Sequence, residues 1–512
     1  MRAADGTNLQ TLQDYLGLHL LRDSAEPLNR QLYRHLRGAI LDGLLARGSA
    51  LPASRSLCEA LSLGRNTVLH AYGQLEAEGY VASRAGAGTY VSEALPDPPP
   101  AGVVNRQTAS SSLPLSLRGQ TLLHGIQQRG AAETPTFAPG MPDTSAFPWA
   151  LWLRLQQRHQ RDAPAAHLGY LSGGGHPALK AALAGYLRLS RGVNCDAEQI
   201  LITGSMQQAL HLVALATADA GDTVWMEEPG YPGARFAWQA AGLRIEAVAT
   251  DEEGLCWHGK EPDPKLIYVT PSHQYPLGSV MSLARRHALL QQAAERGAWV
   301  VEDDYDSEFR HDGRPLAAMQ GLDRQGRVIY LGTLSKVLFP ALRMGYLVAP
   351  PDLIEPLRIL QARLMREGSY IEQATLADFI EDGHFGAHLR RMRGIYAKRQ
   401  SKLRDTLAAH LGDWLAEGDA PRPDQIALLG GAAGMHLTLR LPTGLDDQGL
   451  ARQLGEMGLL APALSSYCLS TPPFPGLVLG YGGADDATLM LAAVKLARFL
   501  AETLRRHNIK NE

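Results

Sequence analysis

Tyr330-Leu-Gly-Thr333-Leu-Ser335-Lys336-Val-Leu-Phe-Pro-Ala-Leu-Arg343-Met-Gly-Tyr346 is the stretch on which the fold turns. It opens as an apolar, β-rich run, Val328–Thr333, and passes two hydroxyls before a single lysine; an arginine follows seven positions later. A lysine beside apolar groups loses its proton more readily and can form a Schiff base with an aldehyde. Thr333, Ser335 and Arg343 are donors suited to a phosphate dianion, the guanidinium as a two-pronged fork. In isolation a lysine at a strand end is usually just solvated, so the reading rests on what else the chain carries.

Working outward, Thr203-Gly-Ser205-Met206-Gln-Gln208 stands between a β-rich run and a helical one, where free N–H groups at a helix start can hold phosphate. Glu227-Glu-Pro-Gly-Tyr231-Pro-Gly supplies an aromatic ring after another run, and Val301-Glu-Asp303-Asp-Tyr305-Asp-Ser-Glu-Phe puts acids and a phenol at a third. The β-rich runs fall at Gln199–Thr203, Thr223–Glu227, Lys265–Thr270, Ala298–Asp303 and Val328–Thr333, with helical stretches such as Ala284–Arg296 between. This alternation predicts an α/β fold with a mostly parallel sheet covered on both faces, whose ligands sit at the carboxyl ends of the strands. Residues from about 352 onward are helix-rich with a few strands, such as Met435–Leu439, and read as a smaller lobe.

At 512 residues the chain is too long for one ordinary domain. Its 45% hydrophobic and 20% charged content excludes wholesale disorder, and a net charge of −3 means that any nucleic-acid affinity belongs to a local patch. Cys58, Cys195, Cys256 and Cys468 lie far apart, without a CxxC pair, which argues against a disulfide framework or structural zinc and for a reducing compartment. No apolar run reaches the roughly 18 residues of a bilayer span, and no secretory signal is read at the start. The expectation is a soluble, cytoplasmic chain with no metal.

Residues 22–93 form the expected first module and 94–132 a flexible linker, marked by Leu95-Pro-Asp-Pro-Pro-Pro100 and a serine-rich tract. Residues 133–512 form the second module. In the first, Leu28, Leu32, Leu36, Ile40 and Leu44 make a helical stripe; Ser54 or Ser56 can cap a short helix, Ser56 with Glu59 as a capping box. A third helix carries Val68, Ala71, Tyr72 and Leu75, with Gly79 at its C-cap, and Tyr80–Ala82 and Thr89–Val91 flank a hairpin tip, Gly86-Ala-Gly88. This winged helix-turn-helix pattern would set Arg65, Asn66 and Thr67 at base edges in the major groove, and Arg84 near a phosphate or minor groove. Seven arginines against four acids give residues 28–92 a charge of only +3, so pattern decides here and charge does not.

Leu51-Pro-Ala-Ser-Arg-Ser-Leu, Gly64-Arg-Asn-Thr-Val, Leu75-Glu-Ala-Glu-Gly-Tyr and Ser83-Arg-Ala-Gly-Ala-Gly-Thr-Tyr-Val together resemble the GntR family of regulators. The resemblance implies that Ser54, Arg55, Arg65, Asn66, Thr67 and Arg84 contact DNA. Gly64 departs from the family's usual serine. The second module resembles a fold-type I pyridoxal-phosphate (PLP) protein of the aspartate aminotransferase class. On that resemblance Lys336 forms the internal aldimine, Asp303 pairs with the pyridinium nitrogen, Tyr305 bonds the phenolic oxygen and Tyr231 stacks on the ring. Ser205, Met206, Thr333, Ser335 and Arg343 hold the phosphate, and Tyr170 reaches the partner subunit's phosphate, implying a dimer. Two departures stand out. His273-Gln-Tyr275-Pro-Leu-Gly carries tyrosine where a ring-contacting asparagine is usual, and Val478 stands where aminotransferases place a carboxylate-gripping arginine. Arg235, Arg390, Arg391 and Arg393 are the alternatives, with no choice among them.

The two modules together resemble the MocR family of regulators, as do Thr270-Pro-Ser-His-Gln-Tyr-Pro, Glu302-Asp-Asp-Tyr-Asp-Ser-Glu-Phe-Arg and His384-Phe-Gly-Ala-His-Leu-Arg-Arg-Met-Arg. This implies a head-to-tail homodimer that binds a double-stranded operator and senses PLP, or an amino compound reacting with it, through aldimine chemistry at Lys336. The rival readings are a working aminotransferase with an accessory DNA-binding module, and a cofactor-binding scaffold without DNA binding.

Overall fold

A computed structural model describes residues 12, 14–84, 88–95, 115–123, 136–164, 169, 172–311, 317–416 and 422–511. The chain divides into two compact units, Met1–Pro114 and Leu115–Glu512.

In the first unit three helices, α1 (Leu28–Leu41), α2 (Ser54–Leu61) and α3 (Arg65–Ala77), precede an antiparallel pair, β1 (Val81–Arg84) and β2 (Gly88–Val91). Leu32, Leu36, Leu57, Val68 and Leu75 meet in one core, joined by Leu12 and Leu16 from a helical run before α1. Gly79, at φ 78°, ends α3: the Tyr80 N–H reaches Leu75 O at 2.9 Å and the Gly79 N–H reaches Glu76 O at 3.0 Å, a Schellman closure. Two expectations are corrected. Leu44 is exposed and Leu45 buried instead, because α1 stops at Leu41 and Gly43, at φ 76°, turns the chain out of helical phase. Neither serine caps α2: Ala53 is its N-cap, with no side-chain bond, and Ser56 and Glu59 both lie inside the helix. The hairpin residues 85–87 lie outside the described residues.

The second unit is built on eight strands: β3 (Ile200–Thr203), β4 (Thr223–Glu228), β5 (Arg244–Asp251), β6 (Gly254–Leu255), β7 (Leu266–Val269), β8 (Trp299–Asp304), β9 (Val328–Thr333) and β10 (Gly345–Val348). Their order is β3-β10-β9-β8-β7-β4-β5-β6. β10 runs antiparallel to both its neighbours and β6 is antiparallel to β5; the other pairs are parallel. Alternation along the strands splits the sheet's side chains between different cores. Leu201, Met226, Tyr268, Val301, Ile329 and Leu347 join one, while Trp225, Ile267, Val269 and Val300 join a second and Ile202, Tyr330 and Tyr346 a third. Both faces are therefore dry, which is why the strands read as unbroken apolar runs.

The helices of this unit are α4 (Leu117–Leu123), α5 (Trp149–Arg161), α6 (Pro177–Arg191), α7 (Met206–Thr217), α8 (Pro232–Ala241), α9 (Leu283–Arg296), α10 (Pro351–Leu364), α11 (Tyr370–Glu381), α12 (His384–Leu411), α13 (Asp447–Glu456) and α14 (Asp486–Asn511). The short α4 falls inside the expected linker and lies beside α8, so that stretch is not flexible throughout; 96–114 and 124–132 lie outside the described residues. The expected lobe boundary near 352 also shifts. Leu353 and Leu357 of α10 are buried with α7 residues in a core of the large sheet, and α11 packs on α5 and α6. The smaller lobe proper begins with α12, around the antiparallel sheet β11 (Ala427–Leu429), β12 (His436–Arg440), β13 (Gly476–Gly480).

Candidate functional site

Strand register assembles the site. Gly345 at the start of β10 pairs with Thr203 at the end of β3 on one side and Thr333 at the end of β9 on the other, so three distant segments lie side by side. Ser205 caps α7, its Oγ accepting from the Gln208 N–H at 3.1 Å, which leaves the helix start at Met206 beside this line. A Cβ on Gly345 would come within 3.3 Å of Met206 N, so glycine permits the approach. Arg343, just before it, adopts a left-handed φ of 49° and lines an open groove with Thr203 and Gly204. A non-glycine residue holds that conformation only where its surroundings demand it, as ligand sites often do. The Thr333 hydroxyl accepts from the Ser335 N–H at 3.3 Å.

Lys336 stands three residues past β9, its Nζ donating to the Gly140 carbonyl at 2.8 Å. Gly140 takes a left-handed φ of 68°, which favours glycine, and a Cβ there would crowd that nitrogen at 2.7 Å. On β8, adjacent carboxylates point to opposite faces and behave oppositely. Burial drives Asp303 up to about 7, with Asp304 and Asp306 adding to the rise against the Tyr268 hydrogen bond and the Lys336 charge. Although burial opposes it, the Arg191 guanidinium and the Tyr330 hydroxyl hold Asp304 below the ordinary carboxylate range. The Tyr268 hydroxyl donates to Asp303 Oδ2 at 2.6 Å, while Oδ1 is buried without a hydrogen-bond partner among the described residues.

Tyr231 packs edge-on to Tyr275, with ring centroids 5.7 Å apart, and feels both Asp303 and Arg343. Tyr305 also meets Tyr275 edge-on, at 5.5 Å, and its hydroxyl lies 3.0 Å from His273 Nδ1. Lys336, Asp303, Tyr305, Tyr231, Ser205, Met206, Thr333, Ser335 and Arg343 thus fall at strand ends or helix starts on one edge of the sheet. Tyr170 lies outside the described residues. Sequence reading missed Gly140, Tyr268 and the buried trio His273, Asp306 and His436, whose possible ligand atoms lie within 4.8 Å of one another. Tyr268 left a signal as a polar residue within an apolar strand, and His273 and Asp306 lie in quoted motifs that carry no sign of their pairing.

Val478 on β13 is fully buried against Leu464 and Tyr467, with Tyr275, Leu277 and Phe474 around them. Of the four alternative arginines, Arg235 bonds the carbonyls of Cys468 and Ser466, on either side of Tyr467. Arg390, Arg391 and Arg393 are exposed, Arg393 donating to Glu308 O.

In the first unit Arg65 and Asn66 are exposed at the start of α3, with Thr67 half-buried behind them. Ser54 and Arg55 open α2, and the exposed Arg84 lays its guanidinium over the Tyr90 ring, 4.6 Å from the centroid. The α2–α3 turn is pinned by Arg22, which donates to Leu61 O and Ser62 O.

Residues 28–91 match the bacterial regulatory proteins of the gntR family, and 150–469 match aminotransferase class I and II. The chain is 43% identical to the probable rhizopine catabolism regulatory protein MocR of Rhizobium meliloti, over 92% of this chain and 93% of that one. The chain belongs to the MocR-type regulators of the GntR family. Another such regulator, the pyridoxine biosynthesis transcriptional regulator PdxR of Corynebacterium glutamicum, is 33% identical over 90% of this chain and 93% of that one. Among solved structures, the α-aminoadipate aminotransferase LysN of Thermus thermophilus superposes with a TM-score of 0.65 at 27% identity, covering 76% of this chain and 96% of that one. The MocR-type architecture thus joins a GntR reader to a fold-type I body, and no helix among the described residues is long and apolar enough to cross a membrane.

Proposed function

We propose that this MocR-type regulator holds PLP at Lys336 and uses it to sense a primary amine, or PLP itself, while its GntR unit grips an operator. The observation that carries this is the buried Asp303, with one oxygen unpartnered among the described residues and a value near 7. Such a carboxylate suits a cationic N–H, and the protonated pyridine nitrogen of PLP is one. When bound, PLP supplies an aldehyde that condenses with amines. Lys336 is the chain's own amine for that aldehyde. Asp303 keeps the ring nitrogen protonated, Tyr305 donates to the phenolic oxygen and Tyr231 covers the ring. The α7 start at Ser205 and Met206, with Thr333, Ser335 and Arg343, holds the phosphate by backbone dipole and charge.

In this reading the protein is a head-to-tail homodimer in the cytoplasm, with Tyr170 reaching the partner's phosphate. Ser54, Arg55, Arg65, Asn66, Thr67 and Arg84 contact DNA. An amine that replaces Lys336 makes different contacts, and that difference is the coupling free energy available to the DNA-binding unit. The buried apolar surroundings of Val478 favour sensing over turnover of ordinary α-amino acids, because a carboxylate finds no fork there. Lys336→Ala tests the reading: the absorbance band given by added PLP should vanish while basal operator binding stays within about twofold. Equal loss of both would refute it.

A further inference from the structure

Behind the Tyr305 hydroxyl, three groups compete for one proton. His273 Nδ1 lies 3.0 Å from Oη of the half-buried Tyr305 and 3.1 and 3.2 Å from the two Asp306 oxygens, His273 and Asp306 being deeply buried. The other ring nitrogen, Nε2, is buried without a partner among the described residues. A proton on Nε2 would be a buried unpaired donor, whereas a proton on Nδ1 meets a carboxylate; the second arrangement is favoured, and it leaves Nε2 as a bare acceptor. The Nδ1–H then cannot accept from Tyr305, whose own hydrogen must point elsewhere. The imidazole is not free to turn away: its face stacks on Tyr305, and a Cβ on Gly434 would collide with both the imidazole and Asp306.

We infer that Asp306, acting through His273, is a positioning residue that fixes the tautomer of that imidazole and thereby turns the Tyr305 hydroxyl proton away from it, leaving it for the cofactor's phenolic oxygen. This rests on the PLP reading above. The surrounding charges are compatible with it. Asp303, Glu227 and Asp306 all press on Tyr305, holding its phenol protonated well above the ordinary tyrosine range, with burial the largest cause. His436, 4.9 Å from His273, accepts no competing role: burial, then His273 and Lys336, push it down to about 3, and its Nε2 is held at the Pro276 carbonyl.

The test is the pH titration of the absorbance of full-length protein loaded with PLP. Removing the acceptor with D306A should let Tyr305 donate to His273 and raise the chromophore's apparent pKa by about one unit, the worth of one hydrogen bond to an anion. D306N keeps a weaker acceptor and should give a smaller shift, which also covers the case in which D306A folds poorly. Y305F should raise the value by itself, and D306A or D306N on that background should raise it no further, since the lost anion alone acts in the opposite sense. A shift that is unchanged in the Y305F background, or no shift in either Asp306 variant, overturns the inference. A wild-type protein that develops no band with PLP overturns the underlying reading instead, and the inference with it.

Discussion

Asp303 and Asp304 differ by one position and by the whole thickness of the sheet, and that decides which of them is chemically available. Arg191 and Tyr330 both hold Asp304 Oδ2, and the guanidinium keeps that carboxylate charged, while Asp303 is bonded by the neutral Tyr268 hydroxyl and burial raises its value. Because its folded value, about 7, lies above the ordinary 3.8, the cofactor-free fold holds this proton where the unfolded chain has lost it. The resulting stabilisation is complete below about pH 4 and fades as the pH climbs to about 7. The wild-type minus D303N difference in unfolding free energy of the cofactor-free protein should therefore fall by about 2 kcal/mol between pH 5.5 and 7. Denaturant unfolding at the two pH values checks this; a difference that does not change with pH would contradict it. Lys336, Asp303 and Tyr305 were singled out because each follows an apolar run within stretches that resemble a fold-type I body. The Tyr305–His273–Asp306 arrangement was not, since His273 and Asp306 are 33 residues apart and only adjacent strands bring them together.

At the scale of elements, local chemistry decided where some pieces stop. Gly79 closes α3 and Gly43 throws α1 out of phase, both by taking positive φ without a steric penalty. The α2 cap failed as a reading because a serine-to-glutamate spacing occurs inside helices as well as at their starts. β10 was not read at all, since four residues, Gly345–Val348, carry too little pattern; yet its register sets Thr203 and Thr333 side by side. The start of α3 presents Arg65 and Asn66 to solvent. Arg65→Ala should weaken cognate operator binding by about 1–3 kcal/mol more than binding to nonspecific DNA. Titration of both DNAs at one salt concentration measures the ratio, and an unchanged ratio would make Arg65 a phosphate contact.

Across the whole molecule, the second unit is tied by Arg399 on α12. Its Nη2 donates to Asp143 at 2.7 Å, its Nε to Asp486 at 3.0 Å and its Nη1 to Gly482 O at 2.8 Å, joining the segment before α5 to the start of α14. Arg399→Met leaves the Asp143 carboxylate buried without its cation and should destabilise this unit by about 3 kcal/mol. Calorimetry of the full chain should show the transition of the larger unit move down, with that of the first unit unchanged.

By itself the sequence determined the division into reader and body and the α/β class, because these are written in local periodicity, and it placed a lysine, acids and hydroxyls at the ends of apolar runs. Tertiary structure decided which carboxylate has a cation of its own, which glycines lie against Lys336 and the helix start at Met206, and where the smaller lobe begins. Those outcomes depend on which face a side chain takes and on what another element brings against it, and pairing across a sheet is a property of strands distant in the chain.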